Sequence, residues 1–351
     1  MTGAQRVLIA GAGVTGLLTA VACARAGHRV TVVERGPIPN PVSSSFDQQR
    51  AIRALDPGDV AATRTATGLH RRWLELEALL GVGFYRRVGA VTGWPADEVD
   101  SVLAGAAATD VPAAVVDPAT LPHVVFPVGH VGVLETDAGV LLAERVLRAA
   151  VRWLRGHPAV TLHPWREVVA VDTHATRIVL GDGTTMAGDL VLVATGAWSR
   201  QLVDLPTVLH RQTMLYLRPP EDLVPWWEQA PSAGRIGIDG QAWLLPAGGG
   251  TLLKISSTRL CREVATLGEP DDERRRAAEL SLSGILAEAD RYTVAAVKQC
   301  HYTVDARTGA TALEQIGPAV WARAAVGGDG FRTAPLVADR IVEQAAQGLA
   351  A

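Results

Sequence analysis

Residues 6–36 read RVLIAGAGVTGLLTAVACARAGHRVTVVERG, and this stretch decides the fold. An apolar run at 7–10 predicts a buried parallel strand, and the Ala-rich apolar run that follows it, up to Gly27, predicts a helix. A second apolar run at 30–33 predicts the next strand, which ends at Glu34. This strand–turn–helix–strand order is typical of a βαβ unit in a doubly wound α/β domain.

The turn before the helix carries glycines in G-x-G-x-x-G spacing, at Gly11, Gly13 and Gly16. The first allows a tight turn, the second lets the backbone approach a diphosphate, and the third lets the helix pack close to the strand. The helix N-terminus offers free N–H groups to phosphates, and Glu34 stands where a carboxylate would accept hydrogen bonds from a ribose. We therefore predict dinucleotide binding; the alternative is an α/β unit whose glycines serve packing only.

The composition argues against several other classes of protein. The chain has 351 residues and a net charge of −3, which gives no electrostatic case for binding nucleic acid or an acidic membrane surface. No apolar run reaches membrane-spanning length, and the short lead MTGAQ leaves no room for a signal peptide. Three cysteines without a CxxC pair argue against a disulfide framework or a zinc site, so no metal is predicted. We expect a cytoplasmic protein without nucleic-acid or membrane partners.

Three separate segments favour FAD as the dinucleotide. Only one G-x-G-x-x-G turn follows a strand, so we expect one dinucleotide; a nicotinamide would imply a dehydrogenase. The N-terminal turn is joined by a middle apolar strand that runs into ATG at 194–196, and by a C-terminal strand that runs into a Gly-rich loop at 327–330 and a closing helix. These segments predict a three-part enclosure around FAD.

The remaining patterns predict a second domain inserted into the first. Alternating apolar and polar residues at 210–218 and 241–245, and a strand at 252–256, predict an antiparallel sheet. The predicted fold class is α/β (α+β overall), a Rossmann-like FAD-binding domain with an interleaved antiparallel-sheet substrate domain. The FAD-binding domain is predicted at 1–82, 140–205 and 300–351, and the substrate-binding domain at 83–139 and 206–299.

Two helices are also predicted around charged residues. Arg50 and Arg53 stand three residues apart in SSFDQQRAIRAL, on one face of an expected helix. Residues 271–289 predict an amphipathic helix with a charged N-terminal part.

The chain resembles the flavin amine oxidases of the D-amino acid oxidase superfamily, and among them the monomeric sarcosine oxidase and pipecolate oxidase-like branch. The resemblance extends along nearly the whole chain. It rests on GAGVTG with Glu34, DQQRAIR at 47–53, ATGAWS at 194–199, LLKIS at 252–256, KQCHYT at 298–303 and GGDGFR at 327–332. GAGVTG is generic, whereas KQCHYT shortly before the last Gly-rich loop is much more specific.

In that branch the cysteine of the C-x-Y-T segment carries the flavin through an 8α-thioether bond, and Cys300 matches it. The attachment needs a thiolate beside the flavin 8-methyl group, which nearby cations would favour. The alternative is a buried, inert cysteine. Cys23 in the first helix fits that alternative, and Cys261 has no assigned role.

The resemblance also places a lysine over the flavin N5 edge, where it assists the reaction with oxygen, and Lys254 matches it. A cation there stabilises the negative charge that O2 acquires with an electron. Of 33 Lys and Arg residues only Lys254 and Lys298 are lysines, which favours a functional role over a lysine that snorkels from an edge strand.

The other site residues are implied by the resemblance as well. Arg50 corresponds to an arginine stacked over the flavin ring, and Arg53 and Arg332 to a pair that captures the substrate carboxylate, unless they are surface arginines on helix faces. The further cofactor-binding candidates are Gly11, Gly13, Gly16, Glu34, Arg35, Val168, Gly196, Trp198, Gly328, Gly330, Phe331 and again Arg332. The further substrate candidates are Trp243, His301 and Tyr302.

Departures from the branch indicate that the substrate is not sarcosine. Thr258 stands where those enzymes have a histidine, and Asp329 replaces the histidine of their Gly-His-Gly. Trp243 is a larger ring than the aromatic residue that borders their substrate. Its face suits a planar or cyclic amine, although a tryptophan at this position is equally consistent with core packing.

The sequence therefore predicts FAD-dependent oxidation of an amine to an imine, with O2 reduced to H2O2. The substrate would be a secondary or cyclic amino acid or a related biosynthetic intermediate, and we expect a monomer that needs no dedicated catalytic base. One alternative is a single-component FAD aromatic hydroxylase that uses NAD(P)H, whose Gly-Asp motif Gly328 and Asp329 could mimic. Another is a non-catalytic flavoprotein.

Overall fold

The computed structural model describes residues 3–56 and 58–347. In chain order its strands are β1 (Arg6–Ala10), β2 (Arg29–Val33), β3 (Arg50–Ile52), β4 (Tyr85–Arg86), β5 (Ala90–Pro95), β6 (Ala113–Val116), β7 (His130–Glu135), β8 (Gly139–Leu141), β9 (Val160–His163), β10 (Val168–Asp172), β11 (Arg177–Leu180), β12 (Thr185–Ala187), β13 (Leu190–Val193), β14 (Thr207–Arg218), β15 (Ser232–Ile236), β16 (Ala242–Leu245), β17 (Leu253–Ser257), β18 (Cys261–Glu263), β19 (Thr293–Asp305), β20 (Ala312–Gly317) and β21 (Val320–Ala325). The α-helices are α1 (Val14–Arg25), α2 (Val60–Leu80), α3 (Val99–Ala107), α4 (Ala143–Arg155), α5 (Val224–Trp227), α6 (Glu273–Ala278) and α7 (Ala334–Gln347).

The first half of the architecture is a six-stranded sheet in the order β20-β21-β13-β1-β2-β9. All neighbours in it are parallel except β20 and β21. The apolar runs that predicted these strands are buried on both faces, and the face opposite the helices packs against β11. Helices α1, α4 and α7 share one core cluster with the strands, and α1 lies against both α4 and α7. The predicted mixed α/β architecture is confirmed.

The second half is a large, mainly antiparallel sheet in the order β18-β14-β17-β16-β15-β5-β7-β6. Strand β14 is twelve residues long and pairs with β19 on its other edge. Strand β17 lies between β14 and β16, so it is an interior strand. Side chains alternate between the two faces of a strand. One face of this sheet carries predicted site residues, among them Trp243, Lys254 and Cys300, toward the six-stranded sheet.

Two predicted helices are wrong. Arg50 lies in β3, which pairs antiparallel with β8, and Arg53 follows this strand in an extended segment whose next two N–H groups bond to Glu135. The predicted helix at 271–289 is only α6, Glu273–Ala278. Beyond it the chain bends so that Leu286 forms a bridge with Val124, and this tertiary contact overrides the helical periodicity.

The predicted domain boundaries stay a prediction. Every strand of the six-stranded sheet falls within the ranges assigned to FAD binding, whereas β19 crosses the boundary at 299–300. A small sheet in the order β3-β8-β4 combines residues from both sets of ranges. Within the described residues, none of the helices combines the length and apolar character needed to cross a bilayer.

Candidate active site

A cavity of about 600 Å³ opens where the parallel strands end. Gly11, Ala194 and Gly327 line it, and they follow β1, β13 and β21 at their carboxyl ends. The other wall is the face of the large sheet that carries Trp243, Lys254 and Cys300. Open α/β sheets bind ligands outside the carboxyl ends of their strands, and the volume is in the range of small-molecule sites, about 300–1,000 Å³.

The cavity collects almost all of the predicted site residues. Gly16 is the exception and lies behind the turn. The lining includes Gly11, Gly13, Glu34, Arg35, Arg50, Arg53, Val168, Gly196, Trp198, Trp243, Lys254, Cys300, His301, Tyr302, Gly328, Gly330, Phe331 and Arg332. Their proposed individual roles stay predictions.

Steric contacts explain why the turn carries glycines. Gly11 has a φ of +102°, and a Cβ there would lie 2.5 Å from the Ala194 carbonyl oxygen. A Cβ on Gly16 would lie 1.9 Å from the Gly11 carbonyl oxygen, so this glycine allows the helix to pack against the turn. A Cβ on Gly13 would approach Ser45 Oγ to 3.2 Å. Gly13 thus lines the cavity beside the serine side chains, and the turn is closely packed behind it.

Glu34 is buried and lines the cavity at the end of β2. Its carboxylate accepts hydrogen bonds from the backbone N–H groups of Ala12 and Gly36, at 2.9 and 3.1 Å, and from Asn40 Nδ2 at 2.9 Å. A carboxylate has about four acceptor positions. One is left for a ribose hydroxyl, and the three protein contacts hold the group in place. Beside it the Arg35 guanidinium lies 3.8 Å above the centre of the Trp198 ring.

Lys254 projects from the interior strand β17 and is only 2% exposed, so it does not snorkel from an edge. Its Nζ donates to Asp47 Oδ2 at 2.7 Å. The same carboxylate pairs with Arg50 and accepts a hydrogen bond from the Tyr216 hydroxyl at 2.6 Å. Two cations thus share one buried anion beside the cavity.

The pKa values in this cluster follow from that arrangement. Burial and the positive charge of Arg50 lower the pKa of Lys254 to about 8. Burial alone would raise the pKa of Asp47, but Arg50 and Lys254 hold it well below its usual range. Asp47 therefore stays ionised near neutral pH, whereas Lys254 loses its proton as the pH rises through about 8.

Cys300 lies on β19 opposite Gln212 of β14 and lines the cavity. The expectation that nearby cations favour its thiolate holds only in part. Arg50, Lys254 and Lys298 do lower the pKa of the thiol, but burial outweighs them and the pKa is raised. Cys23 is an inert core residue whose pKa burial raises to about 12. Cys300 is thus the cysteine that combines cavity access with neighbouring cations.

Arg53 and Arg332 line one part of the cavity from two segments. Arg332 donates to the Arg53 carbonyl oxygen at 3.1 Å and lies 3.5 Å from Asp329, while its Nε is buried without a hydrogen-bond partner among the described residues. Arg53 faces the open cavity, and its own protein hydrogen bond goes to the Leu55 carbonyl oxygen at 2.9 Å. Burial and the charge of Arg332 lower the pKa of Arg53. The pair leaves free donors for a small anion.

Three aromatic side chains complete the wall. Trp243 is half-buried, and Lys254 Nζ lies 5.7 Å from the centre of its ring. His301 Nε2 is buried without a partner among the described residues, and burial followed by the charge of Arg211 lowers the pKa of its imidazole. The Tyr302 hydroxyl lies 3.1 Å from Cys261 Sγ. Tyr302 lines the cavity, whereas Cys261 does not.

Sequence reasoning missed several residues of the site. Asp47 was quoted within DQQRAIR without a role, although a lysine in a buried strand requires an anionic partner, and this requirement was the available signal. Ser45 accepts a hydrogen bond from the Val14 N–H at the start of α1, at 3.0 Å, and was given no role. Arg323 also lines the cavity and was not considered.

The comparison with family models decides the chain's relationships. The model described as "DAO: FAD dependent oxidoreductase" matches residues 6–344. The chain belongs to this family. The DAO-family assignment agrees with the glycine turn at the cavity, the fixed Glu34 carboxylate and the unpartnered donors of lining residues, which together fit FAD.

Individual relatives are more distant. Peroxisomal sarcosine oxidase of Homo sapiens is 25% identical over 232 residues, which cover 62% of this chain and 57% of the human protein. The mouse protein of the same name is 25% identical over 230 residues, 60% of this chain and 56% of that protein. The matches thus span little more than half the length of these curated relatives.

Solved structures of the same fold cover nearly the whole chain. NikD, "an unusual amino acid oxidase essential for nikkomycin biosynthesis", has a TM-score of 0.77 at 17% identity, covering 98% of this chain and 94% of NikD. The fructosyl amine:oxygen oxidoreductase Amadoriase I from Aspergillus fumigatus has a TM-score of 0.76 at 15% identity, covering 97% and 86%. At these identities the likeness establishes the shared fold.

Proposed function

We propose that this DAO-family chain oxidises an amine that also carries a carboxylate to the corresponding imine, and that O2 is reduced to H2O2. The observation that carries the proposal is one cavity lined both by the Arg53 and Arg332 pair and by the buried Lys254. Arg53 and Arg332 are suited to bind a small carboxylate, and Lys254 presents a positive charge where O2 would be reduced. FAD, when bound, accepts a hydride equivalent from the C–H group next to nitrogen and passes the electrons to O2.

The residues of the chain bind the substrate, orient its amine and provide the charges that favour the reaction. Arg53 and Arg332 bind the carboxylate through charge-assisted hydrogen bonds, which orients the amine. Neighbouring cations lower the pKa of a bound ammonium group, so the amine is held in the neutral form that can expel a hydride. Lys254 stabilises the charge that O2 acquires, and Asp47 holds Lys254 in place. Acceleration then comes mainly from positioning and electrostatics.

The aromatic wall of the cavity and the names of the relatives support a proposal for the substrate class. The names of the relatives and neighbours concern sarcosine, fructosyl amines and an amino acid. Trp243 offers a broad flat surface beside Lys254. We therefore propose a secondary or cyclic amino acid, or a biosynthetic intermediate of that class. A monomeric and cytoplasmic state stays a prediction.

We further propose that Cys300 carries the FAD covalently. Its position in the cavity beside Arg50, Lys254 and Lys298 supports this proposal, because these cations lower the pKa of a thiol that burial would otherwise keep protonated. Cys261 is the matched comparison, since it lies on the opposite side of Gln212 and does not line the cavity.

The test combines flavin retention with peroxide production. Wild-type protein, Cys300→Ser and Cys261→Ser are denatured in acid and separated on a gel under ultraviolet light. We expect fluorescence on the polypeptide in the wild type and in Cys261→Ser, and its loss in Cys300→Ser. The native proteins are then supplied with cyclic and N-methyl amino acids without NAD(P)H, and peroxide is measured. In a parallel assay with NAD(P)H added, substrate-dependent NAD(P)H oxidation without peroxide would instead support the aromatic hydroxylase and overturn the oxidase proposal.

A further inference from the structure

Arg323 is a charged residue in the otherwise apolar strand β21, VWARAA. It is 6% exposed and lines the cavity. Its neighbour Ala322 is level with Val193 of β13, which in turn is level with Ala10 of β1. Arg323 therefore stands one residue further along, level with Gly11 of the glycine turn, at the carboxyl ends of the parallel strands.

The guanidinium of Arg323 is poorly satisfied by the protein. Its Nη2 donates to Thr333 Oγ1 at 3.4 Å, and its Nε is buried without a hydrogen-bond partner among the described residues. An arginine carries five N–H donors, and buried donors in native proteins are almost always paired. The arrangement therefore calls for an acceptor that is not part of the chain.

The charge of Arg323 is only partly balanced. Burial lowers the pKa of Arg323, and the attraction of Asp329 raises it. Asp329 is shared, because it also lies 3.5 Å from Arg332. Thr333, the partner of Arg323, directly precedes α7, whose N-terminus adds its own positive dipole end. An anionic oxygen is the acceptor that this combination favours.

We propose that Arg323 is a cofactor-holding residue that donates hydrogen bonds to an anionic oxygen of bound FAD. Two groups of FAD have this chemistry: the diphosphate, and the N1–C2=O edge of the flavin, which gains negative charge on reduction. The inference rests on FAD binding by the DAO family and not on amine oxidation. It therefore stands or falls independently of the substrate.

The experiment compares Arg323→Met and Arg323→Lys with Arg152→Met, a matched control that removes an exposed arginine from α4. FAD dissociation constants are measured in the Cys300→Ser background, where any covalent bond through that residue is absent. Sulfite dissociation constants are measured on the holoenzymes, since sulfite adds to flavin N5 more tightly when a positive charge lies at the N1–C2=O edge. Neither measurement requires a substrate.

A diphosphate contact predicts that Arg323→Met binds FAD about 10- to 100-fold more weakly with unchanged sulfite affinity, the loss expected for a charge-assisted hydrogen bond. A contact to the flavin edge predicts the same loss in sulfite affinity instead. In both cases Arg323→Lys recovers part of the loss, and Arg152→Met has no effect. Wild-type values of both constants in folded Arg323→Met overturn the proposal. If Arg323→Met does not fold, Arg323→Gln is measured in its place against the same criteria.

Discussion

Asp47→Asn should slow the reaction of the reduced enzyme with O2, because Asp47 keeps Lys254 charged. The carboxylate lies 2.7 Å from Lys254 Nζ and raises the pKa of Lys254 against burial and Arg50, giving about 8. At an effective dielectric constant of about 20, opposite charges at 2.7 Å attract by about 6 kcal/mol. Removing that attraction leaves burial and Arg50, which lower the pKa of Lys254, opposed only by a smaller effect of Cys300.

Less than half of this energy is enough to produce a clear effect. A fall of two pKa units corresponds to about 2.7 kcal/mol. At pH 7.5, with a pKa of about 8, about three quarters of Lys254 is cationic in the wild type, and about 3% would remain cationic in the variant. We therefore expect the rate constant for O2 to fall about 25-fold at this pH, if the reaction depends on the cation.

The assay requires no substrate. The flavin is reduced photochemically, mixed with oxygenated buffer in a stopped-flow instrument, and followed at 450 nm from pH 6 to 9. Tyr216→Phe is the matched control, because it removes one hydrogen bond to Asp47 and leaves both ion pairs, so its rate should stay within about threefold of wild type. A wild-type rate in folded, flavin-loaded Asp47→Asn at every pH would refute the reasoning.

Three further predictions follow from the site and its supports. In the wild type the same O2 reaction should slow as the pH rises through about 8, because Lys254 is cationic below its pKa and neutral above it; a flat profile would contradict this. Arg53→Ala should raise KM for a carboxylate substrate about 10- to 100-fold with a smaller change in kcat, and an unchanged KM would remove Arg53 from substrate binding. Gly16→Ala should prevent folding or lower Tm sharply, since its Cβ would lie 1.9 Å from a carbonyl oxygen, whereas Gly68→Ala within α2 meets no atom within 4 Å and should stabilise by about 0.5–1 kcal/mol in thermal unfolding.

The glycine turn was the most predictable part of the molecule. Its glycines, the two flanking strands and the position of Glu34 all follow from local pattern, because each glycine meets a steric requirement set by its near neighbours. The family resemblance added residues from distant segments, such as Lys254 and Cys300, and the structure places both at one cavity.

Long-range pairing was beyond the reach of sequence patterns. Arg50 and Arg53 were expected on a helix, but pairing between β3 and β8 and the backbone hydrogen bonds donated to Glu135 hold this segment extended. Asp47 and Lys254 are joined only when β17 is placed beside that segment. The helix predicted at 271–289 is not formed beyond its first part, because Leu286 forms a bridge with Val124 instead. Periodicity shows which side chains are apolar, but it does not show which part of the fold covers them.

The strand order β20-β21-β13-β1-β2-β9 has a consequence for how the enzyme is made. Strand β13 lies between β1 and β21, so this sheet brings together three strands that are far apart in the chain. The ribosome synthesises the glycine turn long before β21 and Arg332 emerge from the exit tunnel. Completion of the site must therefore await synthesis of β21 and of Arg332, so the cavity cannot be fully lined before the later segments have folded against the earlier ones.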